Sequence, residues 1–249
     1  MRLASRTLVV LLSTWSLGAC AAEPATQPVG TGPVPARVVL VGDSLAVEAA
    51  PQLQEMLTDQ ELLNQTYPGT APCDWLDADL GITAESVVVV SFIGNSGTDC
   101  MAVAGGFLSG EALAQQYRSD VASLIGRAND AGAAVVLVGQ PARGDDDTVG
   151  NAVVVALNAL YQELATAPRV SFVDAGAAVE TDTGAFAFVL PCLPDEPTCD
   201  AAGLVAVRSA DGVHFCPSGF TTTCPTHSPG AFRFAAAIAP AAQQPNLFD

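Results

Sequence analysis

Two short stretches near opposite ends of the chain carry side chains that can do nucleophilic chemistry together. Gly42-Asp43-Ser44-Leu45 supplies a serine, and Asp211-Gly212-Val213-His214 supplies a base with a carboxylate three positions before it. A serine hydroxyl is a weak nucleophile and needs a neighbour to take its proton. Histidine is the side chain best suited to accept a proton near neutral pH. A carboxylate on the same turn can fix its tautomer and orientation, as Asp211 can for His214. The chain has only 2 histidines. His227 has no Asp three residues before it and sits in a Thr/Pro-rich loop, so His214 is the preferred base. Each stretch also has a plainer explanation. Ser44 could be a helix-opening cap, and either histidine a surface residue in a polar loop.

A nucleophilic serine needs elements that hold it at an exposed edge. Directly before Gly42 runs Arg37-Val38-Val39-Leu40-Val41, an apolar stretch suited to a strand buried on both faces. Ser86 to Phe92, Ala133 to Val138 and Arg169 to Val173 are further runs of this kind, and Glu61 to Thr66 is a weaker one. Helical stretches alternate with them, at Ala46–Leu57, Leu108–Ala131, Thr148–Ala165 and 229–240. Strand and helix in alternation predict an α/β fold with a central parallel sheet and helices on both faces. In such sheets ligands gather at the carboxyl ends of the strands. Ser44 follows the first strand, and Ile93-Gly94-Asn95-Ser96 follows the Ser86–Phe92 run. Gln140-Pro141 follows the third apolar run and reads mainly as a strand end.

Taken together, these motifs resemble the SGNH/GDSL hydrolase family over residues 37–240. Gly42-Asp43-Ser44-Leu45 matches its first block, with Ser44 in the nucleophile role. Gly69, in Tyr67-Pro68-Gly69-Thr70, is the best candidate for the glycine of the second block. Asn95 matches the side-chain oxyanion donor of the third block, in a spacing one residue shorter than the family's common form. Asp211-Gly212-Val213-His214 matches the last block. The resemblance implies a three-layer α/β/α sandwich with a central parallel sheet, a flavodoxin-like SGNH hydrolase fold. It also implies a serine ester hydrolase or O-acyltransferase that needs neither metal nor cofactor. The backbone N–H groups of Ser44 and Gly69 and the Asn95 side chain would hold the oxyanion. Pro72-Cys73 and His214-Phe215-Cys216-Pro217 are similar to SGNH domains attached to acyltransferase-3 membrane proteins. That likeness points to short acyl groups, such as O-acetyl groups on cell-envelope carbohydrate. A non-catalytic envelope-binding lipoprotein on the same fold is the alternative reading.

The N-terminus reads as an export signal. Arg2 and Arg6 precede an apolar stretch from Leu8 to Leu17, too short to span a membrane, which ends in Leu17-Gly18-Ala19-Cys20. This resembles a bacterial lipobox, with residues 1–19 removed and Cys20 carrying the lipid. Residues 20–36, rich in Pro, Gly, Ala and Thr, form a tether, and the hydrolase domain covers 37–249. The expected location is the extracellular side of the cell membrane. Contact with the membrane is expected only through the lipid, and the protein is expected to be a monomer. Seven cysteines less Cys20 leave an even number in an exported chain, which predicts disulfides. The neighbour-to-neighbour guess is Cys73–Cys100, Cys192–Cys199 and Cys216–Cys224, though other pairings are open. The first of these would tie the two oxyanion loops together, and the last would brace the base-bearing loop. A zinc site from His214, Cys216, Cys224 and His227 fits no common spacing.

Charge narrows the partners. Against 26 acidic residues stand 9 cations, all arginine, for a formal net charge of −17. Such a surface repels phosphate backbones, so nucleic acid is excluded as a partner. The expected substrate is a small acyl ester or an acylated glycan. Asp145-Asp146-Asp147 reads as a solvated turn rather than a cation site.

Overall fold

The computed structural model describes residues 35–144, 148–194, 196–220, 224 and 227–244. The expected signal peptide, Cys20, most of the tether and Asp145–Asp147 lie outside the described residues. The domain's own contacts begin slightly before Arg37: Ala36 N–H donates to Glu85 O, and Gln60 Nε2 donates to Pro35 O.

The apolar runs form a five-stranded, wholly parallel sheet. Its strands are β1 (Arg37–Gly42), β2 (Glu61–Thr66), β3 (Ser86–Ser91), β6 (Ala134–Val138) and β7 (Val170–Val173), in the order β2-β1-β3-β6-β7. Two short antiparallel hairpins accompany it, β4 (Ala102–Val103) with β5 (Gly106–Phe107), and β8 (Val189–Pro191) with β9 (Leu204–Ala206). The helices are α1 (Ser44–Met56), α2 (Gly110–Asp130), α3 (Thr148–Leu164) and α4 (Pro229–Ala242).

Burial on both sheet faces explains the uninterrupted apolar runs. Val38 and Leu40 of β1 pack with Leu45 and Leu53 of α1 and with Phe234 and Ile238 of α4. Val39 and Val41 point the other way, onto Tyr117 and Leu124 of α2 and Leu157 and Tyr161 of α3. The molecule is thus three layers, with α1 and α4 on one side of the sheet and α2 and α3 on the other. Among the described residues, no helix is long and apolar enough to cross a membrane.

The strand order fixes where chemistry can occur. β1 pairs with β2 on one side and β3 on the other, so the chain reverses its winding direction there. The crevice at the carboxyl ends of β1 and β3 is the topological switch point, the usual ligand site of such sheets.

Candidate active site

Ser44 is held at that crevice by a tight strand-to-helix passage. Gly42 ends β1 where a side chain has no room: a Cβ there would lie 2.5 Å from both Ala46 Cβ and Ser91 O. Asp43 then turns the chain and caps α1, its Oδ1 accepting from Leu45 N–H at 3.2 Å. The cap is therefore Asp43, and α1 begins two residues before the expected Ala46. Ser44 is the first helical residue, in a turn whose N–H groups lack intrahelical acceptors. Its hydroxyl is free of capping duty and lies 2.9 Å from His214 Nε2.

The candidate base, His214, sits on a turn built around Asp211. Asp211 Oδ1 accepts from the Ser209 hydroxyl at 2.5 Å, Val213 N–H at 2.8 Å and His214 N–H at 2.9 Å. Its Oδ2 lies 2.8 Å from His214 Nδ1. For Ser44 to donate to Nε2, the ring proton must sit on Nδ1, and the Asp211 carboxylate selects that tautomer. Burial pushes the Asp211 pKa up, but Ser209, the two amides and the ring outweigh it, leaving it below the usual carboxylate range. The half-buried Phe220 lies against the His214 ring, with centroids 4.6 Å apart. His227 packs against Phe232 instead, away from this chain of bonds.

Asn95 follows β3 and meets the same passage. Its Nδ2 donates to Asp43 Oδ2 at 3.0 Å and to Thr70 O at 3.2 Å, while Tyr117 OH donates to Asn95 O at 2.9 Å. An amide group has two N–H hydrogens. To donate to an oxyanion, Asn95 must share or release one of these acceptors. Gly69 lies on an exposed loop with φ +75°, in the left-handed region that favours glycine. That loop is pinned to the end of β1 by Tyr67 N–H, which donates to Gly42 O at 3.0 Å.

Asp43 is fully buried and ties its own turn to the loop after β3, since its Oδ2 also accepts from Ile93 N–H at 2.7 Å. Burial pushes its carboxyl up to about 7 against the opposing pull of the Ile93 and Leu45 amides. The folded protein therefore holds this proton up to about pH 7, whereas the unfolded chain releases it near the ordinary value of 3.8. Between those limits the folded state binds more protons, so Asp43 makes stability fall as pH rises through that window. Asp211 acts in the opposite sense, but only below about pH 4, its ordinary unfolded range. The denaturation midpoint of the Asp43→Asn variant should consequently fall less between pH 5 and pH 7 than that of the wild type. Equal falls would place Asp43 in the charged form throughout.

Three disulfides link Cys73 to Cys100, Cys192 to Cys199 and Cys216 to Cys224. The first joins the segment after Gly69 to the segment after Asn95. The last closes the loop that carries Phe220. With these cysteines oxidised, His214, Cys216, Cys224 and His227 have no thiolates to offer zinc. Beside Asn95 opens a cleft of about 310 Å³, lined in part by Ser96, Ser109, Leu113, Arg143 and Val153. Gln140 is buried behind the sheet edge, its Nε2 donating to Ser91 Oγ and Val138 O.

Several site residues escape a reading of the sequence. Ser209 braces Asp211, Thr70 accepts from Asn95, and Phe220 packs on the base. Glu48, on α1, accepts from the amides of Phe215 and Cys216. Only Glu48 leaves a sequence signal: a lone charge inside the apolar stretch Leu45-Ala46-Val47-Glu48-Ala49-Ala50, one helical turn after Ser44.

The family model described as a protein of unknown function (DUF459) matches residues 37–223. No protein of curated function matches the chain. Among solved structures, a GDSL-like lipase from Bacteroides thetaiotaomicron is similar at TM-score 0.53 and 16% identity, over 83% of this chain and 87% of that one. A member of the lipolytic protein G-D-S-L family from Veillonella parvula is similar at TM-score 0.53 and 12% identity, covering 82% and 96%. TesA is similar at TM-score 0.51 and 19% identity, also covering 82% and 96%. At these identities the likeness shows the fold, which is that of the SGNH/GDSL hydrolases.

Proposed function

The chain belongs to the family described as a protein of unknown function (DUF459), and on that premise we propose that it is a serine esterase or O-acyltransferase acting on short acyl groups. One observation carries this reading. Ser44, His214 and Asp211 form an unbroken chain of contacts, 2.9 Å and then 2.8 Å, at the switch point of the sheet. A binding module has no need of that chain.

The chemistry balances as two acyl transfers. Ser44 Oγ attacks the ester carbonyl carbon while its proton passes to His214 Nε2. The carbonyl π pair moves onto oxygen, where the N–H groups at the start of α1 and on the Gly69 loop, with Asn95 Nδ2, stabilise it. The tetrahedral species collapses, the C–OR bond breaks, and His214 returns the proton to the leaving oxygen. Water, or an acceptor hydroxyl, then repeats the sequence against the acyl-enzyme. Asp211 keeps its charge throughout and stabilises the imidazolium form of His214.

The cleft beside Asn95 is near the lower end of the range for small-molecule sites, which suits a short acyl ester. The lipobox-like Leu17-Gly18-Ala19-Cys20 favours a lipid-anchored enzyme outside the cell membrane, with O-acetylated envelope carbohydrate as substrate. Three disulfides agree with an oxidising compartment.

The deciding experiment is hydrolysis of p-nitrophenyl acetate by the full chain, run beside a fluorophosphonate probe. Turnover with labelling of Ser44 is expected. Labelling without turnover would shift the reading to a transferase awaiting its acceptor. Neither signal would leave an envelope-binding lipoprotein. Asn95→Ala should lower kcat by about 10²–10³-fold, the usual cost of one oxyanion donor. A loss under about threefold would assign Asn95 to the loop and not to the oxyanion.

A further inference from the structure

We propose that Glu48, with Arg208 opposite it, is a positioning residue that locks the His214 backbone onto the helix carrying Ser44. Glu48 is only 5% exposed. Its Oε2 accepts from Phe215 N–H at 2.7 Å and its Oε1 from Cys216 N–H at 3.2 Å. These are the two residues directly after the base. Arg208, 3% exposed, holds the other side: its Nη1 donates to Val213 O at 2.8 Å, the carbonyl directly before His214. Its Nη2 donates to Ala142 O at 3.1 Å, and its guanidinium lies 4.9 Å over the Phe215 ring. Two buried charged side chains thus grip the backbone on both flanks of His214.

Burying a carboxylate and a guanidinium is costly unless they are well bonded. Burial pushes Glu48 above its ordinary range despite the Phe215 amide, and it pulls Arg208 down to about 10. An apolar side chain at position 48 would pack against the core more cheaply. It would leave the amides of Phe215 and Cys216 unpaired, and with them the register of the base. Glu48 lies one helical turn from Ser44, so the carboxylate makes nucleophile and base parts of one rigid body. The Ser44–His214 contact joins residues 170 apart in sequence and depends on such a bridge.

This inference rests on the serine-esterase reading, and its test separates the two. In Glu48→Gln one amide hydrogen of Phe215 or Cys216 faces an –NH₂ instead of an acceptor, with volume unchanged. The full chain is labelled with ¹³C-histidine. With 2 histidines, it gives two Cε1–H cross-peaks, and Asp211→Asn identifies that of His214. In Glu48→Gln the His214 cross-peak should broaden or double while that of His227 stays put. The kcat for p-nitrophenyl acetate should fall about 10–100-fold with KM within about twofold, as for a catalytic group displaced by a fraction of an ångström. Arg208→Lys, which loses the two-point grip, should do the same. An unchanged His214 cross-peak and kcat, with only a lower melting temperature, would overturn the proposal. Failure of both variants to fold would also overturn it, assigning the pair to the fold alone. A wild type without ester turnover or probe labelling would sink the esterase reading, while the cross-peak comparison would still decide the role of Glu48.

Discussion

Ser44→Ala should lower kcat for p-nitrophenyl acetate by at least about 10⁴-fold, abolish fluorophosphonate labelling, and leave the melting temperature nearly unchanged. The first two effects follow from the contact of Ser44 Oγ with His214 Nε2 at 2.9 Å. Without that oxygen His214 has only water to activate, and the acyl-enzyme route is lost. In other Ser/His systems such a loss leaves only what binding and the oxyanion donors contribute. Four decades correspond to about 5.5 kcal/mol of transition-state stabilisation. The third effect separates this prediction from trivial unfolding. Helix α1 is capped by Asp43, so truncating Ser44 removes no cap and opens no sizeable cavity. Residual activity above about a tenth of wild type would move the nucleophile elsewhere. A large fall in melting temperature would mean that the hydroxyl has a structural duty.

What the sequence discloses about this molecule depends on how local the cause is. The three inner strands β1, β3 and β6 are legible because they are buried on both faces, which demands an uninterrupted apolar run such as Val87-Val88-Val89-Val90, whereas the edge strand β2, Glu61–Thr66, is only part-buried and correspondingly polar. Helix ends drift by a residue or two because caps decide them. Asp43 caps α1 and starts it two residues early, while α2 begins at Gly110 rather than Leu108, after Ser109, whose side chain makes no capping bond. The hairpins at 102–107 and 189–206 have strands of two or three residues, too short for alternation to register. Ser44, Asp211 and His214 are legible because the chemistry restricts residue type and the Asp–His spacing is local. The support around them is not. Asp43 looks like a turn residue until Ile93 and Asn95 arrive from 50 and 52 positions away. Glu48 finds its partners 167 and 168 positions downstream. No pattern along the chain encodes such pairings. They follow from the 2-1-3 strand order, which brings the ends of β1 and β3 together, and from the return of the C-terminal segment onto α1.

Asp211→Asn should lower kcat by about 10³–10⁴-fold with little change in KM, although the turn keeps its shape. The reason is a conflict that an amide cannot resolve. Asp211 Oδ1 accepts three donors, the Ser209 hydroxyl and the amides of Val213 and His214, while Oδ2 accepts one, His214 Nδ1–H. Asparagine has one oxygen to place, and three donors outcompete one. Its oxygen stays with the turn, and its –NH₂ faces His214 Nδ1. That nitrogen must then act as acceptor, so the ring proton moves to Nε2. His214 in that tautomer donates toward Ser44 Oγ instead of taking its proton. The carboxylate charge that stabilises the imidazolium is also gone. Ser209→Ala is the control, because it removes one of the three turn bonds and leaves both carboxylate oxygens in place. It should cost less than about tenfold, in line with the loss of a single supporting hydrogen bond of about 1–1.5 kcal/mol. Steady-state kinetics of the two variants, with the His214 ring tautomer read from its ¹⁵N shifts, check the argument. An Asp211→Asn enzyme whose ring still carries its proton on Nδ1 yet has lost activity would shift the weight from tautomer selection to charge. One that stays active within about tenfold would remove Asp211 from the mechanism.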